Sequence, residues 1–284
     1  MWTQLFGYQY DPQGSREKIF LGSREPRTCR FCNRTDPSTS FRKRAHVIPA
    51  AFGNRSLFSL EECDVCNDRG SIMENDLVGF LSLERGLAGQ RTRGGSVKHR
   101  LPPERSYIAS SVHSKVFDIV TYQGDHSITA ELGGNNTLKV SAELPPHSLN
   151  GVAKALVRMA LFVLAAEKLD DFRHLLEWLR GEVQWAPVFF QTFFLGRWLN
   201  RIGICVAYNS STQVLRTYFG YTNSLLIMDF PAVNWRLPEF LPPMIPNSPY
   251  LESQMWKYSA PAARLVMRGR RKTIQLSYHS LTEK

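Results

Sequence analysis

Four of the five cysteines form two pairs of one spacing, Cys29-x-x-Cys32 and Cys63-x-x-Cys66, with a single histidine, His46, between the pairs. Each spacing lets two thiolates turn onto one ion, and two such pairs complete a tetrahedral zinc site. Redox pairs usually occur singly beside a βαβ pattern, which this sequence lacks. Cysteines that only fill a core seldom fall into two identical spacings. The four thiols are therefore expected to hold structural zinc, and Cys205, in a strand-like stretch, reads as a small core residue.

The elements around the pairs follow from hydrophobic pattern. FRKRAHVIP (41–49) alternates as a strand does, and Pro49 ends it. From Asp64, DVCNDRGSIMENDLVGFLSLERG has helical spacing and carries Ile72, Leu77, Phe80 and Leu81 toward a core. The order is strand, loop, strand, helix, with one thiol pair entering the first strand and the other opening the helix. This arrangement resembles the zinc-containing HNH endonucleases, whose ββα-metal core carries Cys-x-x-Cys, then Asp/Glu/His-His-Ile/Val-x-Pro, then Cys-x-x-Cys-Asn/His. The corresponding residues are Cys29 and Cys32, His46-Val47-Ile48-Pro49, and Cys63 and Cys66 followed by Asn67, about a fifth of the chain from Cys29 to Phe80.

The resemblance implies an α+β chain with an N-terminal ββα-metal nuclease domain at 29–85 and a mixed α+β part after it. It also implies roles. His46 corresponds to the general base that takes a proton from the attacking water, a task suited to a side chain titrating near neutrality. Asn67 corresponds to a ligand of a catalytic divalent ion, magnesium or manganese, which stabilises the leaving oxygen. Where the family commonly has a further metal ligand just before the base, this chain has Ala45. Glu74 lies seven residues after Asn67, two turns along the same helix face, and is the expected replacement; Asp64 and Asp68 are nearer but less clearly aimed. Asn54, the asparagine of the intervening loop, either orients the histidine or supplies a left-handed residue to the Phe-Gly-Asn turn.

Substrate contact is expected from Arg42 and Arg44, on the strand face of His46 with Lys43 opposite, and from Arg55 and Arg69. Such groups grip backbone phosphates without reading sequence, which favours DNA cleavage with little sequence specificity; RNA stays open as a substrate. The net charge of +10 agrees, and its excess lies at the two ends, 16 basic against 11 acidic groups in 1–100 and 7 against 1 in 257–284. The cluster Arg268–Lys272 would extend that surface. A non-catalytic zinc module binding nucleic acid or a protein is the competing reading, and Ala45 speaks for it.

The rest of the chain divides into an extension (1–28), a Gly- and Pro-rich connection (86–104) and a second part (105–284) that regulates, oligomerises or positions the nuclease, as in effectors of prokaryotic defence against phage. Strands are expected at 112–122, 126–132, 137–142, 203–208, 214–221 and 224–230. A helix is expected from Ser148 or Asn150 with Leu149, Val152, Leu156, Val157, Ala160 and Leu164 on one face, and a second one ends at Gly181. PVFFQTFFLGRW reads as core or interface. Few cysteines and no apolar run of about twenty residues lead to an expected cytoplasmic protein with no membrane partner.

Overall fold

The computed structural model describes residues 2–12, 14, 17–89, 91–92, 95–110, 117–134, 137–184, 186, 188–195, 201–222, 224–233, 251–254, 266–267 and 271–277. Strands β1 (Trp2–Tyr10), β2 (Ile19–Leu21), β3 (Ala45–His46) and β4 (Leu57–Ser59) precede helices α1 (Asp64–Phe80) and α2 (Ser82–Leu87). Short strands follow, β5 (Arg91–Thr92), β6 (Gly95–Ser96), β7 (Lys98–Arg100), β8 (Tyr107–Ser110), β9 (Phe117–Val120), β10 (Ile128–Gly133), β11 (Thr137–Glu143) and β12 (His147–Ser148). Helices α3 (Leu149–Val163) and α4 (Arg173–Arg180) lead to β13 (Phe189–Leu195), β14 (Ile202–Asn209), β15 (Val214–Tyr221), β16 (Ser224–Pro231), β17 (Leu251–Gln254), β18 (Val266–Met267) and β19 (Arg271–Ser277). The architecture is α+β. No described helix is long and apolar enough to cross a membrane.

Two compact units are present, Met1–Leu77 with Ser148–Leu265, and Val78–His147 with Val266–Lys284. Each draws on two separate stretches of chain, where the sequence read consecutive segments.

The first unit contains the ββα core. β3 and β4 pair antiparallel, with Ala45 opposite Ser59 and His46 opposite Phe58, and β2 adds a parallel strand to β4. The strand around His46 is shorter than the alternation of 41–49 suggests, because the main chain at Lys43 is claimed elsewhere. Its N–H donates to the Asp64 carboxylate (2.8 Å), which also accepts from the Ser40 hydroxyl (2.6 Å). Residues 1–28 are more than an extension: β1 is the edge strand of a six-stranded sheet ordered β1-β14-β15-β16-β13-β17, paired antiparallel to β14 from Trp2–Asn209 to Tyr10–Ile202. Tyr10 donates its hydroxyl to the Phe52 carbonyl (3.1 Å), and Phe52 packs on Phe219 and Tyr221 of β15, so this sheet supports the loop between β3 and β4.

Helix α3 is apolar on nearly every side, and such a helix must be enclosed. Twelve of its fifteen residues are buried, including the predicted stripe from Leu149 to Leu161, and Ser148 caps it by accepting from the Gly151 N–H. α4 stops at Gly181, whose φ of 82° lies in the left-handed region that a glycine enters freely, as the sequence predicts. On α1, Leu77 is fully buried but Ile72 is 68% exposed, so that part of the expected core face turns to solvent.

In the second unit, the segment read as a connection holds the end of α2 and β5 to β7. His99 of β7 is buried, with its Nδ1 3.1 Å from the Ser82 hydroxyl. β10 and β11 form the predicted hairpin, which β19 extends. The side chains of Phe189, Phe190, Phe193 and Phe194, and residues Trp198, Arg268 and Arg270, lie outside the described residues.

Candidate active site

The Sγ atoms of Cys29, Cys32, Cys63 and Cys66 all lie within 4.8 Å of one another, and those of Cys32 and Cys63 are 3.7 Å apart. Four thiolates at about 2.3 Å from a tetrahedral zinc ion would stand about 3.8 Å apart. The donor set fits zinc. The first pair lies on a tight turn closed by Asn33 N–H to Cys29 O (2.8 Å) and Cys29 N–H to Arg34 O (2.8 Å), with Asn33 in the left-handed region. The second pair opens α1, and the Cys63 N–H donates to the Cys29 sulfur (3.4 Å). A hydrogen bond from the Cys66 thiol is the largest influence holding Cys29 down to about 5, so Cys29 favours the anionic form, while burial pushes Cys32 up to about 11.

His46 is half-buried on β3, its ring 4.7 Å from that of Phe58. Nδ1 is buried and has no hydrogen bond among the described residues. Burial lowers its pKa below the ordinary histidine value; a main-chain group of Asn54 opposes this, and the charges of Arg158 and Arg44 lower it further. The ring is therefore neutral at pH 7, the form a general base needs.

The side chain of Asn54 bonds to the loop backbone and not to the His46 ring. Its buried amide donates to Ile48 O (2.7 Å) and Leu57 O (2.8 Å) and accepts from the N–H groups of Ser56 (3.2 Å) and Leu57 (2.9 Å), which satisfies the whole side chain. It ties the ends of the loop together and so sets the spacing of β3 and β4. The left-handed residue of the turn is its neighbour, Gly53, with φ 84°.

Asn67 and Glu74 stand on α1, one near the zinc knuckle and one two turns along, but a cation already lies against them. Arg158 of α3 reaches α1 with Nη1 2.5 Å from Glu74 Oε1 and Nη2 3.5 Å from Asn67 Oδ1. The same guanidinium grips Glu62 with two bonds, Nε to Oε1 (3.0 Å) and Nη2 to Oε2 (2.5 Å). Arg158 and Glu62 are 3% and 0% exposed, and the Phe162 ring lies 4.7 Å from the guanidinium carbon. Burial would lower the pKa of Arg158, but the two carboxylates outweigh it; burial pushes Glu62 up to about 6 against the same arginine. Glu62, Glu74 and Asn67 are hard oxygen donors of the kind a divalent ion takes. Their centre is filled by a guanidinium, and the Ala45 methyl adds no donor. As placed, Asn67 and Glu74 do not fit magnesium or manganese. The physical reason lies in α3, whose Arg158 packs against α1 from 91 positions after Asn67.

Further arginines join the zinc segment to the later helices of the same unit. Arg30 donates to the carbonyls of Leu161 (2.6 Å) and Leu164 (2.5 Å) at the end of α3 and to Glu61 (2.7 Å), and Arg180 of α4 donates to Phe31 O (2.8 Å).

Beside the β2–β4–β3 sheet lies a cavity of about 330 Å³ bordered by Arg24, Arg27, Arg42, Lys43 and Arg44, with Phe58 and Glu62 also in its wall. Because 41–44 is not a strand, Lys43 shares this cavity with its neighbours instead of facing away. Lys43 also pairs with Asp68 at 2.5 Å. Arg24 and Arg27 were not expected here; sequence offers no signal for them, since the approach of residues 24–27 to 42–44 depends on the knuckle between. Arg55 is exposed on the β3–β4 loop, and Arg69 is exposed beside Arg158 and Arg180. The arginine that pairs with Glu62 could have been suspected from its place among Gly151, Ala155 and Phe162 on an otherwise apolar helix stripe.

Residues 29–72 match the sequence model of a family described as HNH endonuclease. No curated protein and no solved structure matches the chain.

Proposed function

We propose that this chain, whose residues 29–72 are an HNH endonuclease domain, hydrolyses phosphodiester bonds of DNA with His46 as the general base. The observation that carries the reading is the histidine itself: a half-buried imidazole, kept neutral by burial, on the short strand of the ββα core and packed on Phe58, which lines a cavity rimmed by five cations. Water attacks phosphorus as its proton passes to the imidazole, the new P–O bond forms, and the P–O bond to the 3′-oxygen breaks, the leaving oxygen taking a proton from solvent water. Arg24, Arg27, Arg42, Lys43 and Arg44 hold backbone phosphates, contacts that carry no base identity and so give little sequence specificity. Residues 105–284 supply α3, whose Arg158 sets the charge around the site, and the sheet that supports the loop; an effector of defence against phage is one setting for such a chain.

A non-catalytic module that binds nucleic acid through the same cavity is the second reading, favoured by Ala45. Zinc-loaded protein incubated with supercoiled plasmid separates the two, in magnesium, in manganese and with chelator. The nuclease nicks the plasmid in at least one of these, and His46→Ala lowers the rate by at least about 100-fold while zinc content stays unchanged. Intact plasmid in every arm, with DNA retained in a binding assay, would leave only the second reading.

A further inference from the structure

Three oxygen-bearing side chains of the HNH segment, Glu62, Asn67 and Glu74, converge on one point, and that point holds a positive group from another part of the chain. We infer that the Arg158 guanidinium is the resident cation of this site, permanently seated where a divalent ion bound to Asn67 and Glu74 would lie, so that this chain does not take magnesium or manganese at those two residues.

Several observations support a seated group over a passing contact. Arg158 makes three bonds to two carboxylates, with its fourth polar neighbour the Asn67 amide oxygen, and is 3% exposed. Gly70 of α1 lies beneath it, and a β-carbon there would stand 2.5 Å from Nε and 2.7 Å from Cζ, so the helix surface is hollowed at this spot. The backbone of α3 is fixed at both ends: Ser148 N–H donates to Asp76 of α1 (2.9 Å), and Arg30 caps the Leu161 and Leu164 carbonyls. Withdrawing the guanidinium would strand the buried Glu62 carboxylate, and breaking a buried ion pair in this way is strongly unfavourable. The missing donor at Ala45 fits the same pattern: a site whose cation is a side chain needs fewer ligands than one that must strip water from a small ion.

Arg158 is thus a positioning residue, acting through Glu62, Asn67 and Glu74. The inference rests on the HNH correspondence of Asn67, but its test does not depend on cleavage. Zinc-loaded full-length protein is titrated with Mn²⁺, and the paramagnetic resonance signal of free hexaaqua Mn²⁺ reports binding. Wild type, Asn67→Ala and Glu74→Gln should remove the same amount of free ion. Arg158→Met, with the guanidinium replaced by an apolar chain of similar length, should gain Mn²⁺ binding that Glu74→Gln in the same background abolishes. Wild-type binding that is lost in Asn67→Ala or Glu74→Gln overturns the inference, as does an Arg158→Met protein that retains its zinc and melts cooperatively yet binds no more Mn²⁺ than wild type. Should Arg158→Met fail to fold, the comparison of wild type with Asn67→Ala and Glu74→Gln decides alone. A failure of the nuclease reading would show separately, as intact plasmid, and leave these titrations unchanged.

Discussion

Gly70 of α1 lies directly under Arg158 of α3, so close that a methyl group on the glycine would meet Nε at 2.5 Å. In an ordinary exposed helix, glycine to alanine gains about 0.5–1 kcal/mol. Here the added carbon must push a buried guanidinium off two carboxylates, and overpacking of this kind costs about 1–3 kcal/mol. Gly70→Ala should therefore lower the melting temperature of the zinc-loaded protein. A rise would mean that the arginine does not rest on this helix.

The zinc cluster makes a second prediction, because metal affinity in a closed tetrahedral site is also folding energy. Cys66→Ser removes one of four thiolates at the start of α1, the helix that also carries Asn67 and Gly70. Elemental analysis should find zinc strongly reduced, and the protein should be insoluble or melt without cooperativity. Full zinc occupancy with an unchanged melting curve would refute the four-cysteine site.

Asn54 separates stability from chemistry in a different way. Replacing it by alanine leaves the Ile48 carbonyl and the N–H groups of Ser56 and Leu57 without this partner inside the fold, while the Leu57 carbonyl keeps the Val47 N–H, and each orphaned group costs about 1–3 kcal/mol. Denaturant unfolding should show a loss of at least about 2 kcal/mol. Cleavage by the folded fraction should fall as well, since the amide fixes the loop that returns from His46 to Phe58. Wild-type stability in this variant would mean that the four bonds do not form.

Acid should weaken the protein through its buried histidines. Burial holds His99 at about 4, with the Glu84 charge opposing, whereas an unfolded histidine titrates near 6.5. Between those values the unfolded chain binds a proton that the folded chain refuses, so the contribution of His99 is complete above pH 6.5 and is lost as pH falls toward 4. Glu62, pushed up to about 6 by burial, works in the opposite sense between about pH 4.5 and 6. The difference between wild type and His99→Gln isolates the histidine: their stability gap in urea should shrink steadily from pH 7 to pH 4.5. A constant gap would show that His99 titrates normally. Cleavage should fall as acid protonates His46, at a pH below the ordinary histidine midpoint.

The cysteine cluster and the strand-loop-strand-helix order were legible because they are local: spacing, a proline and a helical period all lie between Cys29 and Phe80. The hairpin of β10 and β11, the strands β14 to β16 and the caps at Ser148 and Gly181 were legible for the same reason. What escaped was long-range. β1 reads as a free extension until β14 is known to pair with it, about two hundred residues later. Glu74 reads as a ligand for the catalytic ion until Arg158 of α3 is known to pair with it. The strand at 41–49 was overestimated because alternation cannot register that the Asp64 side chain captures the Lys43 N–H. Ile72 fits a helical period and is nonetheless exposed, since the period marks a face without stating how far the neighbouring elements cover it.

The guanidinium that neutralises Glu62 and Glu74 is encoded 91 positions after Asn67, a separation that sets a clock during synthesis. At about 5–20 residues per second, the ribosome needs roughly 5–20 s to travel from one to the other. Throughout that interval the nascent HNH segment carries both carboxylates without their counter-charge, and β1 waits still longer for β14. A newly made chain therefore cannot assemble this site on its own first seventy residues. The contacts of Arg158 with Glu62 and Glu74 form only after α3 has been translated and packed, which ties the completion of this cluster to a distant helix.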